Sequence, residues 1–163
     1  MPTHKAIVAL QPTQHRLPSK EGEGVKRKIG LVTVLTNNIQ SLKSFYSDIL
    51  GFSIQTDLGN YVEFVSEGVR FAICEKEVMK NATNHCSYQE QRKGQSFELA
   101  FPVGSPEDVD RTYSEIVAKG ATPIKQPEMM AWGRKTAFFA DPDGNIHEIY
   151  SYKLEDFESH LPE

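Results

Sequence analysis

A chain of 163 residues, 39% hydrophobic and 25% charged, has the size and composition of a single globular domain or of two small halves sharing a core. A net charge of −4 argues against nucleic acid as a partner, because surfaces that bind it are usually basic. No apolar run approaches the roughly 20 residues a membrane span needs, so no membrane partner is expected.

Residues 1–27 carry Pro2, Pro12, Pro18 and the polar Lys20-Glu21-Gly22-Glu23-Gly24, and read as an N-terminal extension without a periodic element. The first module spans 28–75. Ile29 to Leu35 is β-branched and apolar, the pattern of a buried strand. Thr36-Asn37-Asn38 supplies N-cap candidates, and Ile39, Leu42, Phe45, Tyr46, Ile49 and Leu50 follow a helical period closed by Gly51. A short strand at Phe52-Ser53-Ile54 follows, then a hairpin of Tyr61 to Val65 and Val69 to Cys74 around Ser66-Glu67-Gly68.

Residues 76–94 are polar and nearly aperiodic, which predicts a linker. The order β-α-β-β-β then returns over 95–152. Ser96 to Phe101 alternates as a strand, and Ser105-Pro106-Glu107 announces a helix through Val109, Tyr113, Ile116 and Val117 to Gly120. Three strands follow, around Thr122 to Lys125, from Arg134 to Ala140 and from Asn145 to Tyr152. Tyr46-Ser47-Asp48-Ile49-Leu50 is echoed by Tyr113-Ser114-Glu115-Ile116-Val117, the mark of an internal duplication. Residues 153–163 form an acidic tail in which Leu154 and Phe157 suit a short docking helix. The predicted fold class is α+β: two β-α-β-β-β modules making a curved mixed sheet around a concave cleft, with helices on the outer face.

Phe45-Tyr46-Ser47-Asp48-Ile49-Leu50-Gly51-Phe52 in the first module, with Trp132-Gly133 and Phe139-Ala140-Asp141-Pro142-Asp143-Gly144-Asn145 in the second, resembles the vicinal oxygen chelate superfamily. That group holds glyoxalase I, the extradiol dioxygenases and the bleomycin and fosfomycin resistance proteins. The resemblance covers roughly Lys28 to Tyr152. It implies a concave small-molecule site, a homodimer and, in metal-using members, His, Gln or Glu ligands from the first and last strand of each module.

Carried onto this chain, those positions are Leu31, Ala72, Glu98 (within one residue) and Glu148. Strand alternation puts Ile146, Glu148 and Tyr150 on one face, and Arg70 and Cys74 beside Ala72. Leu31 and Ala72 cannot donate to a metal, and zinc, nickel or iron generally wants imidazole, thiolate or several oxygens. None of the five histidines fills the gap: His4, His15, His85 and His160 lie in extension, linker and tail, and His147 points away from Glu148. A structural or surface role is expected for all five.

No cofactor is therefore preferred, with a divalent metal on Glu98 and Glu148 as the alternative. Two carboxylates sharing a partly apolar cleft raise one pKa, so Glu98 and Glu148 could hold a cationic or hydrogen-bond-donating ligand, or act as acid and base. Tyr61, Trp132 and Tyr150 are aromatic candidates for lining the cleft, and Arg70 and Arg134 are candidate anchors for an anion. Met129-Met130-Ala131-Trp132 reads as a lid or a dimer contact. Three functions stay open: metal-independent binding of a small organic ligand, which is preferred; a metal-dependent lyase, isomerase or dioxygenase; and a metal-free acid/base enzyme. Cys74 and Cys86 fit a reducing, cytoplasmic setting.

Overall fold

The structure is a computed structural model describing residues 28–152. The predicted N-terminal extension and acidic tail lie outside the described residues.

Strand β1 (Leu31–Thr36) leads into helix α1 (Ile39–Ser44), whose N-cap is Asn38: its side chain accepts from the Ser41 N–H at 3.1 Å. The helix widens into a π-helical turn, Phe45–Ile49, closed by a bond from the Leu50 N–H to the Phe45 carbonyl. That turn holds the consecutive aromatics Phe45 and Tyr46 both inside the core. Gly51, at φ +80°, supplies the left-handed step that ends it. Strands β2 (Ile54–Asp57), β3 (Tyr61–Phe64) and β4 (Arg70–Glu75) complete a four-stranded sheet in the order β1-β4-β3-β2, with β1 and β4 parallel.

The second module repeats this. Strand β5 (Ala100–Val103) precedes helix α3 (Pro106–Ala118), and β6 (Thr122–Met129), β7 (Lys135–Ala140) and β8 (Ile146–Ser151) give the order β5-β8-β7-β6, with β5 and β8 parallel. The N-cap of α3 is the predicted one: the Ser105 hydroxyl accepts from the Asp108 N–H, and Pro106 opens the first turn. The fold is thus α+β with two β-α-β-β-β modules, each carrying its own mixed sheet.

The segment read as an aperiodic linker contains helix α2 (Lys76–Thr83) and a 3-10 turn (Cys86–Gln89). No residue of α2 is buried, so its pattern carried almost no apolar signal. Asn84 ends it in the left-handed region at φ 54°. Strand β5 also starts later than Ser96, which leaves Phe97, Glu98 and Leu99 in an extended approach to it.

The two modules share one core on their helical faces. The Tyr46 ring lies 4.9 Å from Phe71 of the first sheet and 6.3 Å from His147 of the second. Phe45 stacks on Phe139 at 6.2 Å, and Phe52 meets Phe101 at 5.9 Å. Fully burying one such ring contributes roughly 1.5–3 kcal/mol, so this aromatic layer is the main attraction between the modules. The opposite, open face of each sheet is left for other uses.

Candidate functional site

The ladders fix which side chains share an open face. In the first sheet, Leu31 pairs with Arg70, Thr33 with Ala72, and Ala72 with Glu63 of β3, whose neighbour Tyr61 pairs with Cys74. Ala72 is fully buried between Thr33 and Glu63, and Leu31 is 38% exposed. The residue opposite Ala72 is therefore Thr33, and Leu31 sits one step along the same face. A threonine hydroxyl is a poor metal donor, so neither Leu31 nor Thr33 supplies the imidazole or thiolate such a site generally wants.

The centre of that face is Glu63, a buried carboxylate that alternation along β3 places opposite Val62 and Phe64. Arg70 grips it side-on, Nε to Oε1 and Nη2 to Oε2, each at 2.6 Å. The Tyr61 hydroxyl donates to Oε2 at 2.9 Å. Arg70's hydrogen bonds hold the Glu63 carboxyl below its ordinary range against the opposing effect of burial. Burial and the adjacent Glu63 push the Tyr61 phenol up to about 12. Of this trio, sequence reasoning named Tyr61 and Arg70 and missed Glu63. The signal was available: in the hairpin, Tyr61, Glu63, Arg70 and Ala72 fall on one face.

In the second sheet, Glu148 pairs with Ala100 on one side and Phe138 on the other, and Tyr150 pairs with Thr136. Glu148 is half-buried. Burial first, then the charge of Glu98, raises its pKa, and Arg134 partly offsets them. Glu98 and Glu148 are thus close enough to interact, as expected. The Arg134 guanidinium lies 5.1 Å from the centre of the Tyr150 ring. Thr136 is fully buried on the same face, and its Oγ1 is the one buried side-chain polar atom without a hydrogen-bond partner among the described residues. Trp132 sits in the β6–β7 loop, 55% exposed, next to an exposed Met129.

The expected site residues thus fall into two groups: Leu31, Tyr61, Arg70 and Ala72 share a face with Glu63 in the first module, and Glu98, Glu148, Tyr150 and Arg134 belong to the second, with Trp132 apart in its exposed loop. The two sheets are separate, and the bridging contacts run through the helical faces. A groove of about 1400 Å³ between β1 and the segment 87–97 contains none of these residues.

His147 faces the helices and is fully buried. The Leu99 backbone N–H donates to its Nδ1 at 3.2 Å, so the ring carries its proton on Nε2, 3.1 Å from the Tyr46 hydroxyl. Tyr46 in turn donates to Asp141 Oδ2 at 3.3 Å. Asp141 also accepts from the backbone N–H groups of Asp143 and Asn145, and from the Asn145 side chain. Burial alone would raise the Asp141 pKa, but the hydrogen bonds from His147 and Asn145 prevail and lower it. The Asp-Pro-Asp-Gly-Asn turn is thus a staple that ties β8 to the first module, with Gly144 in the left-handed region at φ 76°. The structural role expected for His147 holds, at a site more central than its sequence neighbourhood suggested.

A metal ion fits this donor set poorly. The open faces offer Glu98 and Glu148 on one sheet and Glu63, already saturated by Arg70 and Tyr61, on the other. Among the described residues, no group of three or more His, Cys, Asp or Glu is placed to hold one.

Residues 29–153 match the family model described as a glyoxalase-like domain. The proteins YraH and YetH of Bacillus subtilis (strain 168), both described as uncharacterized, are each 30% identical over 127 residues. The alignment covers 76% of this chain and 97% of YraH, and 74% of this chain and 94% of YetH. A glyoxalase/bleomycin resistance protein/dioxygenase from Nocardioides superposes with a TM-score of 0.72 at 20% identity, covering 82% of this chain and 88% of that one. A lactoylglutathione lyase from Agrobacterium tumefaciens does so with a TM-score of 0.63 at 19% identity, covering 80% and 97%. At these identities the structural likeness establishes the fold.

Proposed function

The chain belongs to the glyoxalase-like domain family, and from that premise we propose that it binds a small organic ligand on the open faces of its sheets, without a resident metal ion. The observation that carries this reading is the Glu98–Glu148 pair. Burial and the neighbouring Glu98 charge raise the Glu148 pKa against the opposing charge of Arg134, and the pair lies beside an aromatic ring stacked by Arg134. A cationic or hydrogen-bond-donating ligand suits that surface.

Divalent metal chemistry of the lyase, isomerase or dioxygenase kind would need donors beyond the two carboxylates Glu98 and Glu148. A second proposal is metal-free acid/base catalysis on the bound ligand by the neighbouring Glu98 and Glu148, the pKa of Glu148 being raised by burial and by the Glu98 charge.

The protein is further taken as a homodimer. The modules of one chain meet through their helical faces, so closing an open face into a cleft calls for a second copy. Free thiols at Cys74 and Cys86 support a cytoplasmic setting, and no described helix is long and apolar enough to cross a membrane.

The test is metal content by mass spectrometry after equilibration with nickel, zinc, manganese and iron(II), followed by a thermal-shift screen of cationic and heteroaromatic compounds. Stoichiometric metal lost in a Glu98→Gln/Glu148→Gln double variant would reject the metal-independent reading. Ligand hits that lose their shift in the same variant support it.

A further inference from the structure

Glu63 is 5% exposed, whereas the Arg70 side chain that grips it is 61% exposed. A buried carboxylate paired with arginine is rarely more stable than apolar packing of the same volume, so stability alone does not account for an acid at this position. What the pair produces is a fixed guanidinium. This group has two edges, each presenting a matched pair of N–H donors. Glu63 takes the Nε–Nη2 edge with both of its oxygens, Tyr61 interacts with the same guanidinium, and the exposed remainder of the group can meet a second acceptor.

An unrestrained arginine loses rotamer freedom when it clamps a ligand. Here that freedom is already removed by a carboxylate set in the sheet and steadied by the Tyr61 hydroxyl.

We propose that Arg70 is the receptor for an organic oxyanion, a carboxylate or phosphate ester, and that Glu63 is the residue that positions it. This gives the ligand a second, negatively charged pole. The inference rests on the open faces being the ligand surface, but not on the Glu98–Glu148 pair.

The experiment uses the full-length, nitrogen-15-labelled chain and follows the arginine Nε–H and Nη signals by NMR. Sodium benzoate and phenyl phosphate are titrated separately, against sodium chloride at matched ionic strength. The expected result is a saturable shift at Arg70. Saturation by benzoate alone assigns a carboxylate, by phenyl phosphate alone a phosphate, and by both the shared oxyanion chemistry. Arg70→Lys keeps the charge without the fork, and weakens binding about tenfold, the loss of one charge-assisted hydrogen bond. Glu63→Gln leaves Arg70 in place but loosened, and weakens binding of the same probe at unchanged chloride response.

No saturable shift with either probe, or undiminished affinity in Arg70→Lys, overturns the proposal. Because the readout is on Arg70 itself, such a failure is separate from a failure of the carboxylate pair, which titration of Glu148 reports.

Discussion

The Tyr46 hydroxyl lies 3.1 Å from Nε2 of His147, a buried contact that joins the helical segment of one module to the last strand of the other. Because the Leu99 N–H fixes the tautomer, His147 donates from Nε2 and Tyr46 relays that donor to Asp141. Asp141 Oδ2 also lies 3.4 Å from His147 Nε2, so the three side chains form one buried cluster. Tyr46→Phe removes the relay and leaves His147 a longer bond to Asp141. It is expected to cost about 1–2 kcal/mol, which for a domain of this size lowers the thermal midpoint by roughly 2–8 °C. His147→Ala opens a cavity and strands the Leu99 N–H, at about 3–5 kcal/mol. The two losses should not add in the double variant, and calorimetry on the four proteins checks this.

Acid stability follows from this network and from the separate Glu63–Arg70 pair. Asp141 and Glu63 both have folded pKa values below their unfolded ones, which stand at about 3.9 and 4.3. Each contributes stability that is complete above the unfolded value and is lost as pH falls through the folded value. Urea midpoints should therefore hold between neutral pH and about pH 5 and decline below it. Asp141→Asn presents an amide to donors from Tyr46 and Asn145, so it should be less stable at pH 7 and show a shallower acid decline. An unchanged acid slope in that variant would remove Asp141 from the account.

Much of this was legible in the sequence, for reasons that particular residues show. The period of two along Asn145 to Tyr152 correctly put Glu148 and Tyr150 on one face and His147 on the other. The placement of Phe97, Leu99 and Phe101 against the helices followed from the same rule. The first-strand register could not be fixed that way. Leu31 and Thr33 share a face, and only the pairing with β4 decides which stands opposite Ala72. Glu63 escaped notice because its burial depends on Arg70, seven residues away across a turn. Helix α2 was hidden because no residue of it is fully buried, Val78 and Met79 being only half-buried in an otherwise largely polar run.

Glu148 should titrate above the ordinary carboxylate range, and its neighbours should move it in opposite directions. Burial is the first cause of the rise and the Glu98 charge the second, so Glu98→Gln lowers the Glu148 pKa. Arg134→Gln raises it further, because the guanidinium charge favours the ionised form. Carboxyl carbon-13 shifts across pH 3–8 read both changes directly. A folded pKa raised above the unfolded one contributes stability below the unfolded value that is lost as pH rises through the folded one. Glu148→Gln, which cannot ionise, should accordingly be no less stable than the parent at pH 7, even where it abolishes ligand binding.

Thr136 offers the sharpest separation between folding and binding. Its hydroxyl is buried without a partner among the described residues, on the face that carries Glu148 and Tyr150. In the ligand-free protein that atom contributes nothing to stability and bears a desolvation cost of about 1–3 kcal/mol. Thr136→Val replaces it with a methyl group of similar volume and keeps the β-branching that suits a strand. The variant should be more stable than the parent by up to that amount, a rise in thermal midpoint of a few degrees. If the hydroxyl meets a ligand, the same variant should bind more weakly any compound that stabilises the parent in the thermal-shift screen. A variant that is more stable and binds unchanged would make Thr136 a packing residue only. One that is less stable would mean the hydroxyl already has a partner in solution.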